Sequence, residues 1–496
     1  MASLSKNYHQ QKTLGQVYTP HFIVCKMLED IHFVGENMLG KSILDPACGD
    51  GRFLCEIAKR IIAVSPKDVL KQNLEHIYGW DIDNEAIELC LKNLNNLIET
   101  ENITVNWNIK TLNSILKHKK TSLFSADEEP KFDVIVGNPP YIRIQHLDEG
   151  QRQYIQQNYE FCKSGSTDIY IAFVELCYHL LKEEGICTLI TPNTYFYTET
   201  AKTLRGFLAQ KRNILQITNY GDIQLFNNAT TYSAIIIFNK QNTDYFTFQK
   251  AETETLFLEK RILFEELTGS TWQLGIAEKS LISGKKLGEI ANIHVGITTL
   301  CDKAYIFTVS EFNENQVIAH TKLKKNIMLE KEILKPIIKA STLKNKEQEI
   351  TEFVLFPYKK VNGKHQIIPE KELSEKYPCA YNYLLSIKEE LDKRDNGKIN
   401  TVAWYAFGRS QGLDTSFGKK ILFSPMNNKP NFVLYENEHC TFYSGYCIKL
   451  NGYTQKVLPQ LNSERMAQFM AVSSRDFRGG WKAYNKKIVE QFEIEM

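Results

Sequence analysis

The chain runs to 496 residues, 43% hydrophobic and 24% charged, enough for roughly two to four domains with sizeable cores. A net charge of +2 excludes a polycation, so contact with nucleic acid would have to rest on local basic patches. No apolar run reaches the ~18 residues of a membrane span, and the polar start MASLSKNYHQQKTLGQ lacks a secretory signal's apolar stretch, so a cytoplasmic location without a membrane partner is expected.

Through the first half, short apolar runs alternate with helical patterns. Strands are expected over 41–46, 77–83, 103–109, 132–138, 185–193 and 232–240. Helices are expected between them, notably over 52–64, 84–99 and 168–182. In the last of these, Phe173, Cys177, Leu180 and Leu181 fall at helical spacing. This alternation predicts an α/β fold built on a doubly wound, mainly parallel, Rossmann-like sheet. After about residue 243 the tracts become more polar, with more turn signals and Lys-rich stretches. The reading is therefore a first domain over 1–245, a linker over 246–270 and a second, mixed α/β domain over 271–496. The 11 cysteines are scattered without a CxxC pair or a zinc-like Cys/His spacing. They read as reduced thiols, and no metal is expected.

The first strand leads into Asp45-Pro46-Ala47-Cys48-Gly49-Asp50-Gly51-Arg52-Phe53, which opens a helix. Glycines let such a turn approach a ligand closely, and the helix start offers unpaired N–H groups. A plain strand-to-helix turn is the alternative. Asp81, in Trp80-Asp81-Ile82-Asp83, ends the next strand, where a carboxylate can accept from both hydroxyls of a ribose. Ile82 can lie against a purine face, while Asp83 is also a natural helix cap. Upstream, Gly15-Gln16-Val17-Tyr18-Thr19-Pro20 reads as an extended segment before a helix.

Asn138-Pro139-Pro140-Tyr141 follows the strand FDVIVG. The two prolines fix the backbone and remove two N–H donors. The Asn138 side-chain carbonyl and the Pro139 main-chain carbonyl are then two rigid acceptors beside a flat aromatic face. Such a pair suits an adenine N6 amine, whose lone pair is delocalised into the ring. Acceptors on both of its hydrogens favour a pyramidal nitrogen, and in-line placement then supplies much of the catalysis. The base must leave the DNA stack to reach such a pocket. A rigid Pro-Pro turn without chemistry is the bland alternative.

In this order, the motifs resemble the gamma-group amino-methyltransferases of restriction–modification systems, typified by the TaqI adenine methyltransferase. The resemblance covers residues 10–240 well and the rest loosely. It implies a class I methyltransferase domain that takes its methyl group from S-adenosyl-L-methionine, followed by a DNA target-recognition domain. Thr19 and Pro20 would contact the methionine end of the cofactor and Asp45 would help hold that end beside Gly49 and Gly51, with Tyr18, Ala47 and Phe53 also binding the cofactor. Asp81 would bind its ribose and Ile82 its adenine, with Asn138 and Pro140 closing the pocket. Asn138, Pro139, Pro140 and Tyr141 would form the catalytic set, with Tyr141 stacked on the flipped adenine. Phe226 is the candidate for a second stacking ring; a core aromatic is the alternative. Where the family carries an Asp that accepts from the cofactor adenine, Asn113 stands here, and its amide oxygen can still accept. Asp168 and Phe173 would line the same pocket, with helix capping the alternative for Asp168.

The stretch 322–346 holds eight lysines against Glu330 and Glu332; a solvated helix face is its usual meaning and phosphate contact the sharper one. The tail interleaves Arg475, Phe477, Arg478, Trp481, Lys482 and Tyr484 around Gly479-Gly480, a mixture suited to phosphates and bases, and Arg409 in WYAFGRSQG has a similar setting. Arg409, Arg478, Trp481 and Lys482 are therefore candidate DNA contacts. The implied partners are double-stranded DNA and a separately encoded endonuclease, for a monomeric, stand-alone methyltransferase. The other readings are an RNA or protein-glutamine methyltransferase sharing NPPY, a cytosine-N4 enzyme, and a catalytically dead DNA-binding relative.

Overall fold

The computed structural model describes residues 18–496 except 118–129, 164, 166, 227–231, 268–270, 273, 276–283, 451, 453 and 475. Contacts divide the chain into two compact units, Met1–Ile276 and Ala277–Met496. Arg475, one of the tail cations named above, lies outside the described residues.

The first unit is an α/β layer structure around a nine-stranded sheet. Its strands are β1 (Ile43–Asp45), β2 (Ile77–Asp81), β3 (Asn108–Thr111), β4 (Phe132–Gly137), β5 (Leu181–Pro192), β6 (Ile214–Asn219), β7 (Ser233–Phe238), β8 (Tyr245–Ala251) and β9 (Phe257–Leu263). They lie in the order β3-β2-β1-β4-β5-β7-β6-β8-β9. The run from β3 to β5 is parallel, and β7 then enters antiparallel between β5 and β6. The helices are α1 (His21–Asp30), which precedes β1, α2 (Arg52–Val64), α3 (Lys67–Leu74), α4 (Asn84–Ile98), α5 (Glu149–Asn158) and α6 (Ile169–Leu180), which connect the parallel strands, and α7 (Lys202–Lys211), between β5 and β6.

Alternating strand residues feed two cores, one on each face of the sheet. Ile43, Ile77, Val134 and Val136 pack with apolar residues of α1, α2 and α4. Leu44, Phe132 and Ile135 pack with α6 and α7. This is the doubly wound arrangement expected from the sequence, with the buried central strands β1 and β4 reading as near-continuous apolar runs.

The edges depart from expectation. Residues 103–109 were expected as a strand, but β3 spans Asn108–Thr111, because it pairs with the short β2 in the register Tyr78 with Asn108 to Asp81 with Thr111. Residues 246–270, read as a linker, instead hold β8 and β9, paired antiparallel along seven residues. Phe246 and Phe248 bury on one side of β8, while β9 exposes Leu258 and Glu259. Trp272 and Leu274 are buried in the same core as α6, so this unit's packing runs past residue 270.

The second unit is also mixed α/β. A four-stranded antiparallel sheet orders Ala291–Val295, Tyr446–Leu450, Lys420–Phe423 and Phe432–Tyr435. A six-stranded sheet runs from Ile327–Glu330 to Thr441–Tyr443. The lysine-rich stretch 322–346 is not a helix face. It lies on strands Ile327–Glu330 and Leu334–Lys339 and their turns, so its cations do not share one stripe. No helix among the described residues is long and apolar enough to cross a membrane.

Candidate active site

Three adjacent parallel strands deliver the chemistry. β2, β1 and β4 are neighbours, and their carboxyl ends carry Asp81, Asp45 and, one residue past the strand, Asn138. Ligands of open α/β sheets bind at this edge. The side chains open onto one cavity of about 340 Å³. Of the residues singled out from the sequence, Tyr18, Thr19, Asp45, Ala47, Gly49, Phe53, Asp81, Ile82, Asn113, Asn138, Pro140 and Phe173 line it.

The loop between β1 and α2 is shaped by its glycines. Gly51 stands at φ 85°, and a Cβ there would meet the Cys90 Sγ of α4 at 2.5 Å. Gly49, at φ 53°, has nothing within 4 Å of such a Cβ. The Cys48 N–H donates to the Trp80 carbonyl at 2.9 Å, latching the loop to β2. Asp81 then fixes both sides of the pocket: its Oδ2 accepts from the Gly49 N–H and its Oδ1 from the Asp83 N–H, each at 2.9 Å. Asp83 does cap α4, accepting from the N–H groups of Glu85 and Ala86. The two aspartates thus divide their tasks.

Electrostatics follow from burial. Asp45 is 1% exposed, and its Oδ1 accepts from the Ala47 N–H at 3.0 Å. Desolvation pushes its carboxyl up to about 8, the Ala47 bond opposing and the charges of Asp81 and Asp50 adding to the rise. Burial also raises Asp81, against the two backbone bonds it accepts. An acid-lined pocket with one carboxyl held above its ordinary range favours a cationic ligand, which would relieve both.

At the other end, Asn138 donates from Nδ2 to the Thr19 Oγ1 at 3.1 Å, and Thr19 is 3% exposed. The segment before α1 and the turn after β4, distant in sequence, therefore meet at one side chain. Pro20 lies at the start of α1 rather than in the cavity wall. Tyr18 carries the Arg52 guanidinium over its ring at 4.7 Å. Asn113 turns its Oδ1 to the Leu116 N–H at 3.2 Å, so its oxygen caps a short helix as well as facing the cavity. Asp168 starts α6 without a side-chain capping bond. Pro139 is buried. Tyr141 is half-buried, and its hydroxyl donates to the Ile190 carbonyl at 3.3 Å. Phe226 meets Tyr141 edge to face at 6.4 Å and is 2% exposed, so in this conformation it offers no open face. Its neighbour Asn227 lies outside the described residues.

The far wall comes from residues outside every sequence motif. Ile142, His146, Leu147 and Gln151 line the cavity, from the segment after NPPY and the start of α5. No motif marks them; only their position just downstream of Tyr141 could have pointed to them.

In the second unit, Arg478, Gly479 and Gly480 form the turn of a hairpin between Asp476–Phe477 and Trp481–Ala483. Both glycines have φ near 77° (78° and 76°), which a tight turn requires. Arg478 and Trp481 are exposed there, and Lys482 is partly so. Arg409 is held by Asp395 through two contacts of 3.1 Å. Tyr405 is buried and donates to the Ile368 carbonyl, so this part of the aromatic cluster serves the core.

Known proteins resemble the chain in sequence and in fold. The family model described as Eco57I restriction-modification methylase matches residues 75–226, which include β2, β4 and Asn138. The type II restriction enzyme and methyltransferase RM.Eco57I of Escherichia coli is 27% identical over 95% of this chain and 54% of its own length. The type II methyltransferase M.BanIII of Aneurinibacillus aneurinilyticus is 27% identical over 97% of this chain and 87% of its own. The chain thus spans about half the length of the first relative and most of the second. Among solved structures, the type IIL restriction-modification enzyme MmeI in complex with DNA shares the fold, with a TM-score of 0.59 at 13% identity over 95% of this chain and 65% of its own. The chain is similar to type II restriction–modification methyltransferases, and its residues 75–226 carry the Eco57I methylase match.

Proposed function

We propose that the protein is a site-specific DNA methyltransferase that modifies the N6 amine of a flipped-out adenine in double-stranded DNA, using S-adenosyl-L-methionine within a restriction–modification system. The observation that carries it is the convergence of Asp81, Asp45 and Asn138 on one cavity at the ends of three adjacent strands. When bound, the cofactor supplies a methyl group made electrophilic by a sulfonium. Asp81 has lone pairs beyond those used by Gly49 and Asp83 with which to accept from ribose hydroxyls. Ile82, 53% exposed, offers an apolar surface for a purine. Asp45 faces the cationic end.

Asn138 and the Pro139 carbonyl accept from the two hydrogens of the target amine. By holding the Asn138 amide nitrogen, Thr19 sets which way the planar amide turns its oxygen. Burial raises the Tyr141 phenol well above its ordinary range, so the ring stays neutral and available for stacking. Phe226 would have to turn to add a second ring. Arg478, Trp481, Lys482 and Arg409 are the proposed DNA contacts of the second unit, Arg409 after exchanging Asp395 for phosphate. A monomer with a separately encoded endonuclease partner completes the reading.

The test incubates the protein with labelled S-adenosylmethionine and unmethylated genomic DNA, with RNA in parallel. Label in DNA that disappears with Asn138→Ala supports the proposal. Label confined to RNA overturns it in favour of an RNA methyltransferase, and cofactor binding without transfer overturns it in favour of a dead DNA-binding relative.

A further inference from the structure

The first turn of α1 carries a group of side chains that the cavity does not use. His21 opens the helix and Cys25 lies four residues on, a spacing that puts both on one face. Glu56 reaches the same place from α2. His21 Nε2 is 3.1 Å from Glu56 Oε2. Cys25 Sγ is 3.6 Å from His21 Nε2 and 3.8 Å from Glu56 Oε1. Cys25 Sγ is also 3.7 Å from His21 Nδ1, and one ligand atom from each of the imidazole, the sulfur and the carboxylate lies within 4.8 Å of the others. Tetrahedral zinc, with bonds of about 2.3 Å to sulfur and about 2.1 Å to nitrogen or oxygen, sets ligand separations of roughly 3.4 to 3.6 Å. The separation of sulfur from Nε2 matches, and each carboxylate oxygen lies within a few tenths of an ångström of that range from its own neighbour, Oε2 from His21 and Oε1 from Cys25, so a turn of the Glu56 carboxylate would bring one oxygen to both.

The surroundings suit a three-ligand site. Glu56 is 13% exposed at its side chain and His21 71%, so the triangle has a closed base and an open side for water. Arg60 Nε donates to Glu56 Oε1 at 2.9 Å, which orients the carboxylate from behind, as outer partners of ligating carboxylates do. A thiolate and a carboxylate together balance a dication. The spacing was not legible as a zinc motif because it joins a helical i,i+4 pair to a residue on another helix.

We propose that His21, Cys25 and Glu56 bind zinc, with water in the fourth position, and that the ion fastens the start of α1 to α2. The Cys25 thiol proton passes to solvent as the sulfur–zinc bond forms. His21 directly follows Thr19 and Pro20, and Glu56 lies one turn beyond Arg52 and Phe53, which line the cavity. The ion would thus brace two helices that carry the cavity wall, without touching the ligand.

The experiment titrates cobalt(II), a spectroscopic stand-in for zinc, into the full chain after chelator treatment. The expected result is one equivalent bound with a sulfur-to-cobalt charge-transfer band and tetrahedral ligand-field bands, displaced by zinc. Cys25→Ser abolishes the charge-transfer band, and His21→Ala and Glu56→Gln each weaken binding at least tenfold. Because His21 is exposed, His21→Ala decides the matter should Cys25→Ser fail to fold. No thiolate–cobalt band in the unaltered chain overturns the proposal, as does a band that survives both Cys25→Ser and His21→Ala, which would belong to another of the 11 cysteines.

Discussion

Asp45 is a buried carboxyl with one backbone donor to its Oδ1 and two acidic neighbours. Its position near 8 has a definite thermodynamic consequence. Below about pH 4 the group is protonated in both folded and unfolded chains. Between about 4 and 8 the unfolded chain releases the proton while the folded chain retains it, so rising pH lowers stability through this window. Asp45→Asn should remove that part of the pH dependence in denaturant unfolding of the ligand-free protein. A cationic ligand beside Asp45 favours the ionised form, so cofactor binding should release a proton and tighten as pH rises toward 8. Calorimetry in two buffers of different ionisation enthalpy checks this, and Asp45→Asn should bind more weakly with no proton release. Thr19 acts through Asn138. Thr19→Val should lower kcat about tenfold, the scale of one buried hydrogen bond, with a smaller change in cofactor affinity. Thr19→Ser should restore the rate. Weaker cofactor affinity with kcat unchanged would instead mean that Thr19 serves cofactor binding alone.

At the scale of elements, the loop between β1 and α2 depends on Gly51. Gly51→Ala adds about 1–2 kcal/mol of left-handed strain and a methyl group against Cys90. It should lower the melting temperature and weaken cofactor binding, and Cys90→Ala in the same chain should recover part of the loss. Asp83→Ala removes the α4 cap and should cost about 0.5–2 kcal/mol in equilibrium unfolding. The central elements were legible because β1, β2 and β4 are short apolar runs that end in Asp45, Asp81 and Asn138. Their motifs encode their own positions at the sheet edge. The outer strands were not. β9 reads Phe-Leu-Glu-Lys-Arg-Ile-Leu and turns charged residues to solvent at the end of the sheet, so its pattern resembles a polar linker. The cavity wall after Tyr141 and the bond from Asn138 to Thr19 arise from long-range packing, which no local spacing records. Phe226 marks the same limit, since its burial against Tyr141 depends on where β6 and β7 bring it.

For the molecule as a whole, the near-neutral net charge means that DNA affinity must come from particular cations. If the hairpin at Arg478 and Lys482 meets phosphates, changing both to Ala should weaken DNA binding for all sequences alike. It should also reduce the slope of log affinity against log salt by about 2, while leaving cofactor affinity intact. Trp481→Ala should weaken DNA binding with little change in that slope. The cavity is proposed to methylate adenine in DNA. The most direct measurement is mass spectrometry of nucleosides from DNA treated with the protein and S-adenosylmethionine, followed by modification-sensitive sequencing of the same DNA. N6-methyladenine should be confined to one short sequence motif and absent with Asn138→Ala. N4-methylcytosine, methylation that persists in Asn138→Ala, or modified adenine scattered without a motif would contradict it.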